Sequence, residues 1–330
     1  MPRSLPKIDV ATLTAFGCIV VLLLVGTVAK PGLLSVGYIV QQLLVASFLG
    51  TIATGEMIVI LMGQIDLSIP WTIGMGGMMA TGATGIFGHA LGVALAIPFG
   101  VACGVVVGLV NGLGVAWLRA PSMIFTLGMN AVAQGLMVWH TGGFAPQDRA
   151  TGLMIALAGG QLIPGVPNPL LVWIALGAAT VYLLTRTRLG RYIYAIGNRE
   201  RAVFLSGVDS RRVVLIGFML SGACAAAGGV LLAGWANRSY QAMGDPYLLP
   251  VIAAIVLGGT NVLGGRGTYL GTIAGVILIT LLQSILSVLQ PQDYFARIGI
   301  NLPADVFRQV VFGLVIIVMM MLYGREKRTR

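Results

Sequence analysis

Charge is scarce in this sequence. Only 9% of the 330 residues are charged, whereas a soluble domain carries roughly 25%. Apolar residues make up 57% of the chain, and several apolar runs exceed the ~18 residues that indicate a membrane-spanning helix. Such runs are too long for the roughly ten-residue strands of a membrane barrel. The composition excludes a water-soluble globule and predicts an all-α membrane protein with a compact bundle of helices.

Residues that perform chemistry are also few. The chain has only three lysines, two histidines and three cysteines. No lysine follows the glycine-rich loop that holds nucleotide phosphates, and neither histidines nor cysteines have metal-ligand spacing. No basic patch is interleaved with aromatic residues, as nucleic-acid binding would require. We therefore expect no catalytic residue, metal site or cofactor in this chain, and no nucleic acid as a partner.

Apolar runs between helix breakers predict ten transmembrane helices. They lie near residues 11–29, 38–62, 70–87, 91–117, 122–140, 169–185, 213–236, 248–264, 268–290 and 306–323. Because each span takes about 20 residues, residues 1–330 are expected to form a single transmembrane domain, without room for a second, catalytic one.

The distribution of basic residues predicts how the chain is oriented. With both termini in the cytoplasm, fifteen lysines and arginines face the inside and five face the outside, as expected because basic loops stay cytoplasmic. This arrangement makes residues 1–10, 186–212 and 324–330 cytoplasmic and residues 141–168 an external, periplasmic loop. The proline-containing loops 141–168 and 291–305 are expected to contain short helices.

The 47 glycines are regularly spaced in two of the predicted helices. They recur every four residues at Gly100, Gly104, Gly108 and Gly112 and at Gly267, Gly271 and Gly275. Small residues on one helix face let two backbones approach closely inside a membrane. The spacing predicts that the fourth and ninth helices pack tightly against their neighbours.

Polar residues within or between the spans are candidates for a translocation pathway. They are Glu56, Asp66, Ser68, Asn111, Asn130 and Gln134. A charge at the bilayer centre costs about 2.5 to 3.5 kcal/mol, so we expect Glu56 to face the interior of the bundle, to be protonated or to pair with a polar group. A structural hydrogen bond to a neighbouring helix is the alternative role.

The other polar residues include two pairs at short spacing. Asp66 and Ser68 are suitable N-cap residues for a helix that starts near Pro70, although a broken helix is also how transporters bind polar solutes. Asn130 and Gln134 are four residues apart and share a helix face. That face is a candidate wall for a hydroxyl-rich solute.

The loop of residues 186–212 contains seven arginines and no proline. Within it Asn198 is expected to cap a short helix from Arg199 to Ser206, which Gly207 ends in the left-handed conformation. A helix this short is not stable alone. It is therefore held either against another protein or, through its arginines, on anionic lipid.

Five segments resemble the permease subunits of ABC importers of the ribose and monosaccharide type. They are GQIDLS at 63–68, TRLGRYIYAIGN at 187–198, LSGV at 205–208, AAIVLGGT at 253–260 and GGRGT at 264–268. The resemblance runs from about residue 38 to 323. It implies a ten-helix permease of the bacterial inner membrane that works as a homo- or heterodimer and translocates a ribose-, xylose- or galactose-like sugar or a similar polyhydroxylated solute.

The resemblance also implies partners. These are a second permease subunit, cytoplasmic ATP-binding subunits that hold ATP and Mg²⁺, and a periplasmic sugar-binding protein. The residues that match the cytoplasmic coupling helix of the family are Asn198, Arg199, Glu200, Arg201, Ala202, Phe204, Leu205, Ser206 and Gly207. Two alternatives stay open: a permease for branched-chain amino acids or nucleosides, and a stand-alone secondary transporter that uses Glu56.

Overall fold

The computed structural model describes residues 10–29 and 31–289, together with helical residues 306, 309, 310, 313, 314 and 317. Over the described segments the chain forms eleven α-helices and two 3-10 turns, at Pro31–Leu34 and Asp245–Tyr247. The helices are α1 Val10–Ala29, α2 Val36–Leu61, α3 Ile69–Phe87, α4 His89–Ala116, α5 Ser122–His140, α6 Gly152–Gly159, α7 Asn168–Arg186, α8 Arg188–Leu205, α9 Ser210–Ala236, α10 Leu248–Leu257 and α11 Tyr269–Leu289.

Six helices are long and apolar enough to cross a membrane. They are α2, α4, α5, α7, α9 and α11, and shorter apolar helices lie at Thr12–Leu24 and Asp245–Leu257. This composition confirms the all-α, multi-pass membrane fold that the sequence predicts. The number of spans stays a prediction, because the tenth helix at 306–323 lies outside the continuously described residues.

Most predicted helix positions agree with the structure, and α6 confirms a short helix in the loop 141–168. The helix predicted at 248–264 is wrong at its end, because α10 stops at Leu257. Gly259 then adopts a φ of 93°, which a helix cannot contain. The second predicted loop helix and the terminal segments 1–9 and 324–330 lie outside the described residues.

Helix α2 lies at the centre of the bundle. In its most apolar segment 89% of the residues are buried, compared with 61% for α9 and 28% or less for α4, α5 and α7. A helix that is apolar on all sides is expected in the core of a larger bundle. The position of α2 places Glu56 inside protein, fully buried, rather than against lipid.

Glycines form the contact between α4 and α9. A Cβ on Gly104 would overlap the carbonyl oxygen of Gly222, and one on Gly222 would overlap that of Gly104. Gly108 meets the carbonyl of Phe218 in the same way, and Gly112 meets Leu215. Gly100 instead faces the carbonyl of Gly76 on α3. All four regularly spaced glycines of α4 therefore lie where a neighbouring helix approaches.

The second glycine series is split between a turn and a helix. Gly271 and Gly275 face the carbonyls of Gly258 and Ala254, so they bring α11 against α10 and the residue that follows it. Gly267 lies before α11, and its prediction as a helical packing residue is wrong. The helix begins two residues later because the Thr268 hydroxyl accepts a hydrogen bond from the Gly271 amide, as an N-terminal cap does.

Arginines are more numerous at one end of the bundle than at the other. The end that carries α8, called the basic end here, contains the seven arginines of residues 186–212. At the opposite end Arg149 and Arg238 form an isolated antiparallel bridge, and the amide of Ala150 donates to the carbonyl of Asn237.

Candidate translocation and coupling sites

The chain breaks its helical path between α2 and α3. After Leu61 the amides of Met62, Gly63 and Gln64 donate back to the carbonyls of Val59 and Ile60. Gly63 has a φ of 75°, which glycine adopts without steric cost. The segment 62–68 therefore leaves the helix axis while still inside the bundle, and its backbone groups need partners from elsewhere.

The Asp66 carboxylate binds one of these backbone groups and three side-chain donors. Its Oδ1 accepts hydrogen bonds from the Ser68 amide at 3.0 Å, the Ser68 hydroxyl at 2.6 Å and the Asn111 amide nitrogen at 3.3 Å. Its Oδ2 accepts from the Ser221 hydroxyl at 3.1 Å. The carboxylate therefore joins the break to α4 and α9.

Glu56 lies on the other side of the same segment. Its Oε1 accepts the Asp66 amide at 3.1 Å, and its Oε2 accepts no hydrogen bond from the described residues. Among the described residues, an ion pair joins Arg212 to Asp209, far from these carboxylates at the basic end. Neither buried carboxylate is thus paired with a basic side chain of the described segments, and Asp66 is held by neutral hydroxyl and amide donors.

The structure corrects the capping prediction for Ser68. Ser68 has a helical backbone conformation and its side chain caps no amide. Its hydroxyl donates to Asp66 at 2.6 Å and accepts the side-chain amide of Asn111 at 2.8 Å. Asp66 thus turns the chain into α3 by accepting the Ser68 amide.

Side chains of helix α5 bind the backbone of the segment between α2 and α3. Its Ser122 hydroxyl accepts the Ile65 amide at 3.3 Å, and its Thr126 hydroxyl accepts the Leu67 amide at 2.9 Å. One turn later, Asn130 Oδ1 accepts the amide of Trp71 at 3.2 Å. Three side chains at four-residue spacing therefore tether α5 to the segment between α2 and α3.

Four of the six predicted pathway residues meet in one cluster. Glu56, Asp66, Ser68 and Asn111 are each 1% exposed or less. Asn130 lies beside them against α3, whereas Gln134 is exposed on the surface of α5. The sequence analysis missed Ser122, Thr126 and Ser221. Ser122 and Thr126 lie four residues apart on one helix, and Ser221 lies on another. Helix hydroxyls often bond only to their own helix, so the sequence could not show that these three reach other elements.

A cavity of about 420 Å³ opens at the opposite end of the bundle. Its lining combines an aromatic ring, a carboxylate and amide, hydroxyl and imidazole groups. The residues are Met78, His140, Thr141, Phe144, Ala145, Pro146, Gln147 and Asp148. Such a mixture of one apolar face and several hydrogen-bonding groups suits a small polar solute.

Helix α8 is broken at Arg199, whose φ and ψ are −158° and 91°. Asn198 does not cap the short helix that follows, and that prediction is wrong. Its side-chain amide donates to the carbonyls of Tyr194 at 2.9 Å and Gly265 at 3.3 Å. The end of the short helix agrees with the prediction, because Gly207 has a φ of 79°.

The short helix after Arg199 displays apolar side chains. Phe204 is 64% exposed and Leu205 85% exposed, whereas Val203 packs into the core at 7%. Glu200 accepts a hydrogen bond from the Ser210 hydroxyl at 3.0 Å, which ties the helix to the start of α9. A shallow groove beside it is lined by Ala195, Asn198, Arg199, Ala202, Val203 and Ser206.

A bundle of long apolar helices, with a helix broken inside it and polar groups buried around the break, is typical of membrane transport proteins. The chain belongs to the family described as the permease component of the branched-chain amino acid transport system, whose model matches residues 38–320.

Several relatives are permeases for sugars. The chain is 30% identical to the ribose import permease protein of Haemophilus influenzae over 86% of its own length and 88% of that protein. It is 32% identical to the ribose import permease protein of Bacillus subtilis, over 92% and 89% of the two chains. The D-allose transport system permease protein of Escherichia coli is 28% identical, over 86% and 85%. No solved structure matches the chain. The resemblance to ribose-type ABC permeases that the sequence motifs predict is thus confirmed.

Proposed function

We propose that this chain is the membrane-spanning subunit of an ABC importer for a monosaccharide or a similarly polyhydroxylated solute. It acts in the bacterial inner membrane beside a second permease subunit. Separate cytoplasmic subunits bind ATP and Mg²⁺, and a periplasmic binding protein delivers the solute. The sugar class is supported by relatives that are named as ribose and D-allose permeases and that this chain resembles over most of their length.

One observation carries the proposal for ATP coupling. The short helix that follows Arg199 exposes the adjacent apolar side chains of Phe204 and Leu205 at the basic end, and an exposed apolar patch with a polar rim is typical of a protein–protein contact. Basic loops favour the cytoplasmic side, where an ATPase would bind. Phe204 and Leu205 therefore form the apolar centre of a docking surface, and Arg199 and Arg201 form its charged rim.

The solute would enter at the end opposite α8, where the cavity beside Phe144 offers hydrogen-bonding groups and an aromatic face. The cluster around Asp66 closes the path towards the basic end, since its members are buried. Movement of α5, which carries Asn130 and Gln134, would open this path. Hydroxyl and amide groups on both sides of the opening match the chemistry of a sugar.

Transport by purified components tests the proposal. Proteoliposomes that contain the permease, its ATPase and its binding protein should accumulate radiolabelled ribose or D-allose only when ATP is present. Omission of the ATPase should abolish uptake. Uptake that persists without the ATPase would contradict the proposal, and retention of leucine or a nucleoside by the binding protein, with no sugar retained, would contradict the solute class.

A protonophore separates the importer from a secondary transporter. At constant ATP, a protonophore should leave uptake unchanged, because the described geometry uses Glu56 to hold the Asp66 amide. Loss of uptake with the protonophore, accompanied by loss in Glu56→Gln, would show instead that Glu56 couples an ion gradient to transport.

A further inference from the structure

We infer that three backbone turns at the basic end form a joint that transmits movement of the short α8 helix to the buried cluster around Asp66, with Asn198 as the positioning residue. The glycine joint comprises residues 61–64 after α2, residues 197–198 at the break in α8 and residues 261–267 before α11. The inference rests on the proposed function, in which the short helix binds the ATPase.

The first contact of the glycine joint links α8 to the turn before α11. Asn198 donates its side-chain amide to the Gly265 carbonyl at 3.3 Å, and the Tyr194 hydroxyl donates to the Gly267 carbonyl at 2.9 Å. The bond from Asn198 arises immediately before the break at Arg199, and the bond from Tyr194 about one helical turn earlier.

The second contact links that turn to the end of α2. The Gly265 amide donates to the carbonyl of Leu61 at 2.9 Å. A Cβ on Gly264 would lie 2.6 Å from the Gly63 nitrogen and 2.9 Å from the Gly197 Cα. Since three backbones meet here without intervening side chains, displacement of one moves the other two.

The turn before α11 is braced internally. Asn261 accepts the Gly264 amide on its carbonyl at 2.8 Å and donates its own amide to the Arg266 carbonyl at 2.8 Å. Its side-chain amide donates to the Gly264 carbonyl at 3.2 Å. A turn closed by three such bonds moves as a unit, so a push from α8 is passed to α2 rather than absorbed.

The third connection is the chain itself, which leads from Gly63 to the polar cluster around Asp66. Gly63 lies three residues before Asp66, and the Asp66 amide is bonded to Glu56. The Asp66 carboxylate is bonded to Asn111 and Ser221 on other helices. Movement at Gly63 must therefore strain or break hydrogen bonds that close the bundle.

Asn198→Ala tests the glycine joint with two measurements. In the reconstituted transporter, ribose taken up per ATP hydrolysed should fall about fivefold, the change expected from loss of a hydrogen bond of ordinary strength. In the purified full-length permease, hydrogen–deuterium exchange should increase at residues 261–267 and also at residues 61–68. Asn198→Asp, which keeps the shape but lacks the donor, should behave like the alanine variant, and Asn198→Gln should restore part of the coupling.

Asn168→Ala is the matched control. The Asn168 side chain also donates to a backbone carbonyl, that of Ala156 at 2.8 Å, but at the opposite end of the bundle. Exchange should increase only near residues 156–168, with uptake per ATP unchanged.

Three results would overturn the inference: unchanged uptake per ATP in Asn198→Ala, increased exchange that stops at residues 261–267, or wild-type behaviour of Asn198→Asp. Absence of ATP-driven sugar uptake by the wild type would instead refute the proposed function, and the exchange measurement would still decide whether the two segments are connected.

Discussion

Helices α4 and α5 are both largely exposed on the outside of the bundle, with 28% and 22% of their most apolar segments buried, yet they attach to it differently. Helix α4 is attached through backbone contacts at Gly104 and Gly108. Helix α5 has glycines too, but a Cβ on Gly128 or Gly135 would meet nothing within 4 Å. It is attached by side chains instead, through hydrogen bonds and through Ala133 and Met137, which are buried against α3 and α4.

The difference indicates which parts of the bundle move. Backbone contacts between α4 and α9 depend on close approach at several turns, so partial separation loses dispersion contacts along the whole seam. The bonds from Ser122, Thr126 and Asn130 to the segment after α2 can each be exchanged for bonds to a solute. We therefore expect α4 and α9 to stay together and α5 to be the helix that moves during transport.

The largest effect is expected for Gly104→Val. Its side chain would overlap the Gly222 backbone, which cannot move without separating α4 from α9. We expect a loss of about 3 kcal/mol in stability, the upper part of the range for overpacking, seen as a lower thermal unfolding temperature in detergent. An unchanged unfolding temperature would show that the two helices are not in backbone contact.

Asp66→Ala should have the next largest effect. It leaves the Ser68 amide and the Asn111 and Ser221 side chains without their acceptor, at a cost of about 2 kcal/mol. Asp66→Asn should cost less, since the amide oxygen still accepts. Asp245→Ala, at an exposed carboxylate, serves as control and should stay within about 0.5 kcal/mol of the wild type. Equal unfolding temperatures for Asp66→Ala and Asp245→Ala would contradict the described cluster.

Thr126→Val sharpens the comparison for α5. It removes the acceptor of the Leu67 amide and should cost about 1 kcal/mol. Thr185→Val is the matched control, because the Thr185 hydroxyl donates to the Val181 carbonyl of its own helix. If both variants unfold at the same temperature, the bond from α5 to the break contributes nothing.

Gly135→Ala should have the smallest effect, in the opposite direction. With open space around it, alanine should stabilise α5 by a few tenths of a kcal/mol and up to about 1 kcal/mol. The unfolding temperature should rise slightly or stay the same. A marked fall would mean that α5 is packed as closely as α4 is.

The sequence predicted helices well because apolar runs and breakers act locally. The four-residue glycine spacing predicted which face of α4 is packed. It could not predict that α9 packs there, because that depends on how the helices are arranged in the bundle. Ser68 illustrates the limit for the site, since whether its hydroxyl caps a helix or donates to Asp66 depends on how the break folds. The glycine joint was not predictable, because it joins backbone groups of residues such as Leu61 and Gly265 that are distant in sequence.

The proposal of a permease driven by separate ATPase subunits is tested most directly at the short helix after Arg199. Leu205→Asp places a charge on its most exposed apolar residue, and Leu162→Asp does the same at the opposite end, where Leu162 is 82% exposed. Co-purification of the ATPase and ATP-driven sugar uptake should both be lost in Leu205→Asp and retained in Leu162→Asp. Full ATPase binding and uptake in Leu205→Asp would contradict the account.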